Sequence, residues 1–120
     1  MYQQLEEISE SILAFKIRNE ITDNEMDQIS RIMEDKIAVA GKIRLLLIIE
    51  NLRSMNSAES LYEELRFAKI YAEDIECMAV VGDKSWKKTW VALFSLFSNI
   101  PAEYFDRSEL ESAKRWLLDR

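Results

Sequence analysis

The chain has 120 residues, 48% of them apolar and 32% charged, a balance that fits one globular domain spanning residues 1–120. Its 22 acidic and 16 basic residues leave a formal net charge of −6, which argues against nucleic acid as a partner, because that binding depends on Lys and Arg neutralising phosphates. There is no histidine and only one cysteine, Cys77. The commonest general base and metal ligand are therefore missing, as are an internal disulfide and any zinc site built on several cysteines.

The N-terminal stretch MYQQLEEISES is acidic and polar and does not read as a secretory signal. No apolar run is longer than that from Leu45 to Ile49, which is strand-sized and far short of a membrane span. The expected address is the cytoplasm, with peripheral membrane contact as an option.

In chain order, residues 3–8 read as a weak strand with a polar face and residues 12–18 (ILAFKIR) as a better one. Thr22 begins a helix, with Glu25 completing a capping box. Met26, Ile29, Met33 and Ile37 give this helix one apolar face, and Gly41 closes it. Residues 43–50 (IRLLLIIE) form a continuous apolar run, the mark of a central strand covered on both faces.

Asn56 or Ser57 then caps a helix to about residue 73, with Ala58, Leu61, Leu65, Ala68 and Ala72 toward the core. Residues 77–82 (CMAVVG) are the next buried strand, with Cys77 read as a small core residue rather than a reactive thiol. Asp83 caps a helix running from Lys84 to about Ser98, and Asn99-Ile100-Pro101 breaks it. Residues 103–106 form a short last strand. Ser108 and Glu111 make another capping box, and the final helix buries Leu110, Ala113 and Leu117 together with Trp116. Strands alternating with helices imply an α/β fold with a mostly parallel sheet and right-handed crossovers.

Three stretches then resemble a known family: GKIRLLLIIENL at 41–52, IECMAVVGDKSWKKTW at 75–90 and AEYFDRSELESAKRWLL at 102–118. Together they resemble the SpoIIAA-like family of STAS-type domains. The resemblance implies a four- or five-stranded sheet in the order 1-3-2-4-5, with the first strand antiparallel at an edge and about four helices. It also implies kinship with anti-sigma-factor antagonists, with cytoplasmic domains of anion transporters, and with lipophilic-ligand carriers of the CRAL-TRIO type. The phosphorylatable serine of the antagonists falls near Ser57. Here the surroundings depart from the family pattern: Asn56 stands where an Asp is expected, the Gly is absent, and Glu59 would repel a phosphate on Ser57. A helix-capping role suits Ser57 better.

No glycine-rich phosphate loop is present. The acidic pairs Glu6-Glu7, Glu34-Asp35, Glu63-Glu64 and Glu73-Asp74 read as solvated charge. No catalytic residues, metal site or cofactor are expected, and the chain reads as a binding module rather than an enzyme.

The helix at 84–98 is the most informative stretch. Trp86, Trp90, Leu93, Phe94 and Phe97 share one arc of it, and Val91, Ala92 and Leu96 widen the apolar surface. One reading packs this helix on the sheet and against a neighbouring helix. The other turns part of the face toward a lipid, a partner or an apolar ligand. Lys84, Lys87 and Lys88 in the first turns oppose the helix dipole and suit an anionic group, or they serve only to solubilise an aromatic helix. Under the order 1-3-2-4-5, strands 12–18 and 77–82 are neighbours. A switch-point crevice at their carboxyl ends would then be lined by Arg18, Asn19, Gly82, Asp83 and Lys84.

On the helix at 57–73, Phe67, Ile70 and Tyr71 lie opposite the core stripe. They suggest a contact surface for a protein partner or a homodimer, unless another segment covers them. Two functions follow. The first is a module for an apolar, amphipathic or anionic ligand or a membrane surface, using Trp86, Trp90, Phe94, Phe97 and the lysines. The second is an interaction regulator of the antagonist type, docking near Ser57 and Phe67.

Overall fold

The computed structural model describes residues 1–6, 8–52, 62–63, 65–83, 87–94 and 99–120. Its strands are β1 (Tyr2–Gln4), β2 (Ile12–Arg18), β3 (Ile43–Glu50), β4 (Ile75–Gly82) and β5 (Ala102–Asp106). Its α-helical segments are α1 (Asp23–Ala40), α2 (Arg66–Ile70), α3 (Lys87–Phe94) and α4 (Leu110–Leu118), with 3-10 turns at Ala72–Asp74 and Arg107–Glu109. Among the described residues no helix is long and apolar enough to cross a membrane.

The five strands form one sheet in the consecutive order β1-β2-β3-β4-β5. β1 pairs antiparallel with β2, and every later pair is parallel. The continuous apolar strand β3 is central, as its pattern requires. The expected order 1-3-2-4-5 is corrected: β3 lies between β2 and β4, with Leu47 paired to Phe15 on one side and Val80 on the other. The crevice expected between strands 12–18 and 77–82 therefore does not exist.

Consecutive order has a direct consequence for layering. Right-handed crossovers that always step the same way place their helices on one face of the sheet. Met26, Ile29 and Met33 of α1, Phe67 and Ala68 of α2, and Trp90 and Leu93 of α3 share one core with Leu13, Phe15, Leu45, Leu47, Met78 and Val80. The alternate strand residues Ile12, Ala14, Leu46, Ile48, Cys77, Ala79 and Val81 point the other way. There they meet Ala113 and Leu117 of α4, the one described helix on that side. Leu5 and Ile8 also pack on this second core, which explains why the first strand is shorter than 3–8: the chain leaves the sheet edge after Gln4 to cover the opposite face.

Local signals set the ends of α1. The Thr22 side chain accepts from the Glu25 amide, and the Glu25 carboxylate accepts from the Thr22 amide. Gly41 ends the helix at φ 83°, with its N–H donating to the Ile37 carbonyl. The last helix starts differently from expectation. Asp106 and Glu109, not Ser108 and Glu111, form the capping box, on a 3-10 turn that leaves β5 directly.

The helix expected at 57–73 is also revised in its described part. Leu65 has non-helical backbone angles and α2 covers only Arg66–Ile70. Phe67 is 0% exposed and belongs to the core. Ile70 is 65% exposed. Tyr71 is half-buried, and its hydroxyl donates to the Glu34 carboxylate. The expected core positions Leu65, Ala68 and Ala72 are kept, but the outward row Phe67, Ile70, Tyr71 does not form, because Phe67 is buried beside that stripe and Tyr71 packs against the same core.

Candidate functional rim at the carboxyl ends of the strands

The polar groups that the fold gathers lie where the parallel strands end. Arg18 closes β2 opposite Glu50, which closes β3. The Arg18 guanidinium donates to Glu50 at 2.9 Å, and Lys16, one pleat earlier on the same face, reaches the other Glu50 oxygen at 3.5 Å. Glu50 is therefore held between two cations from the neighbouring strand. Partial burial raises the Glu50 pKa, but the hydrogen bond from Arg18 and the nearby charge of Lys16 outweigh it and leave the carboxyl below its ordinary value.

The residues just beyond these strand ends share an uncommon conformation. Asn19 and Asn51 have φ of 61° and 54°, in the left-handed region that asparagine tolerates better than most side chains. The Asn19 amide donates to the Glu50 carbonyl at 3.3 Å, so the two turns are joined side by side.

Further along the rim, Gly82 ends β4 opposite Asp106 of β5. Asp83 follows, exposed, and pairs with Arg107 at 3.5 Å. The Tyr104 hydroxyl donates to the Asp83 carbonyl. Burial, with Asp106 and Asp83 nearby, pushes the Tyr104 pKa up to about 12.

Of the residues singled out in the sequence, Arg18 and Asp83 both sit on this rim, but on strands separated by β3. Trp90 is 7% exposed and stacks on Tyr104 inside the first core. Lys87, Lys88 and Phe94 lie on α3. Ser57, Lys84, Trp86 and Phe97 lie outside the described residues. Lys16, Glu50, Asn51 and Arg107 were not foreseen. The signal for the first two was a lysine and a terminal glutamate in strands whose other charged residues are Arg18 and Arg44, and it acquires meaning only when the register of the two strands is known.

Three open clefts lie among the described residues: about 70 Å³ at Gln3, Lys16 and Arg18, about 200 Å³ at Ile21, Met26 and Arg66, and about 270 Å³ at Leu13, Ile32 and Val39. Each is smaller than the roughly 300–1,000 Å³ usual for a drug-sized ligand. Cys77 is buried under α4, and burial pushes its thiol pKa up against the opposing charge of Arg44. That environment suits a packing residue better than a nucleophile. Among the described residues no group of three or more His, Cys, Asp or Glu could hold a metal ion.

No curated protein and no solved structure gives a significant match to the chain. A family model described as SpoIIAA-like matches residues 12–118, from the first strand of the parallel sheet to the end of α4, and the chain belongs to the SpoIIAA-like family.

Proposed function

We propose that this chain is a non-catalytic STAS-type interaction module, and that it engages a protein partner through the carboxyl rim of its sheet. The observation that carries the reading is a contrast within the fold. Both faces of the sheet are filled by the chain's own side chains, whereas the rim presents Arg18, Glu50, Asn51, Asp83 and Arg107 at least partly to solvent. Charged and amide groups fixed on strand ends suit a specific polar contact, which sets register and partner choice. Membership of the SpoIIAA-like family is compatible with a regulator of the antagonist type.

The burial of Trp90 and Phe67 moves the weight away from an aromatic surface for lipid. Exposed aromatic area is what such a surface needs.

The test is affinity capture from cells that make the protein, followed by native mass spectrometry of what is retained. The expected result is a discrete protein in stoichiometric amount, lost when Arg18→Gln and Asp83→Asn are combined in a chain of unchanged thermal stability. A noncovalent small molecule carried by the purified chain, with no protein retained, would replace this reading with the ligand-binding one.

A further inference from the structure

The two faces of the sheet are closed very differently. The first is covered by α1, α2 and α3, and the second, among the described residues, by the nine residues of α4 with Leu5 and Ile8 beside them. A helix of nine residues has little stability of its own in water, so α4 keeps its shape by being docked. Its two ends are held by different means. At its start, the Asp106–Glu109 capping box ties it to the end of β5. At its far end the restraint comes from the central strand. The Arg44 guanidinium donates to the carbonyls of Leu117 and Arg120, and to that of Leu118 at 3.4 Å.

Arg44 is well placed for this. Its side chain is only 19% exposed, and its Nε donates to the Glu76 carboxylate at 3.1 Å. A cation on the last carbonyls of a helix satisfies orphan acceptors and complements the helix dipole.

We infer that α4 is a hinged cover of the second sheet face, pivoting at the Asp106–Glu109 turn and latched by Arg44 on its C-terminal carbonyls. Opening the latch bares a strip across β3, β4 and β5 made by Leu46, Ile48, Cys77, Ala79, Val81 and Phe105, while the first core is left intact. The module then has a closed state and an open state that differ by one short helix.

The chain carries its own reporter. Cys77 is the one cysteine in the sequence, and it lies in the second core with Ala113 and Leu117. Its labelling by a thiol reagent under native conditions measures how often α4 lifts. Arg44→Met should accelerate labelling about 10- to 100-fold, the effect of losing charge-assisted hydrogen bonds. Removing Arg44 also removes a charge that favours the thiolate, so the loss of charge alone would slow labelling. Arg44→Lys, which keeps the charge but not the fork, should fall between. In the wild type, labelling at low urea should be nearly independent of denaturant, because a short helix exposes little surface.

If wild-type labelling follows the full denaturant dependence of global unfolding, α4 does not open separately and the inference is overturned. That measurement stands even if Arg44→Met fails to fold. Equal labelling rates in wild type, Arg44→Lys and a folded Arg44→Met would likewise overturn the latch.

Discussion

Trp90 stacks on Tyr104, with ring centroids 6.0 Å apart and the planes 30° from parallel. This pairing joins α3 to the edge strand β5 and takes Trp90 out of solvent. Trp90→Ala should therefore cost stability, about 3–5 kcal/mol for a buried Trp, with a lower urea midpoint as the readout. A change under 1 kcal/mol would mean that the indole is not packed as described.

Tyr104 has a second consequence, at alkaline pH. Its folded pKa is raised from 10.0 to about 12, so its neutral form is favoured by folding. The associated stability is fully present below pH 10 and is lost as pH rises toward 12. Urea midpoints of wild type and Tyr104→Phe should converge over that window as the wild type loses ground. A constant difference across it would contradict the burial of the phenol.

Phe67 and Ile70 give a paired test on α2. Phe67→Ala should destabilise by about 3–5 kcal/mol. Ile70→Ser, at an exposed position, should stay within about 0.5 kcal/mol. The opposite ranking in a thermal or chemical melt would restore Phe67 to the outer face.

Glu25 serves two elements with one carboxylate. One oxygen completes the capping box with Thr22, and the other accepts from the Tyr2 amide of β1 at 3.0 Å. Partial burial raises its pKa, but the hydrogen bond from the Thr22 amide, the N-terminal ammonium and the Tyr2 amide together bring it below 4.5. Its folded value is depressed, so the stability it supplies is present above pH 4.5 and lost as pH falls through the folded pKa. Glu25→Gln keeps a single acceptor oxygen and cannot serve both sites. It should lower stability at pH 6 and flatten the acid dependence measured by urea titration. An unchanged acid limb would assign that dependence to other carboxylates.

The fold is most legible in the sequence where one residue's chemistry decides a local outcome. The Thr22–Glu25 box, the Gly41 stop and the buried positions Met26, Ile29 and Met33 all follow from short-range patterns. The apolar run of β3 likewise required burial on both faces and a central place. Neighbour order was not legible, because Ile12–Ile17 and Ile75–Val81 are apolar enough to flank β3 or each other. The Lys16–Glu50–Arg18 group was hidden for a different reason: β2 and β3 are neighbours in the expected order too, but only their register sets Arg18 opposite Glu50. Phe67 is buried although Leu65, Ala68 and Ala72 hold the expected inward positions, because the first core is wide enough to take a second side of α2, which a single helical stripe does not show. The cap of α4 was set two residues late because Asp106 belongs to β5 and to the turn at once.

The most direct test of the rim reading is an amide hydrogen-exchange footprint of the chain with its captured partner bound. The expected result is slowed exchange at Arg18–Glu20, Glu50–Leu52 and Asp83, with exchange at the exposed Ile70 turn unchanged. Protection confined to α2 or to the outer surface of α1, with the strand ends exchanging as in the free chain, would contradict it.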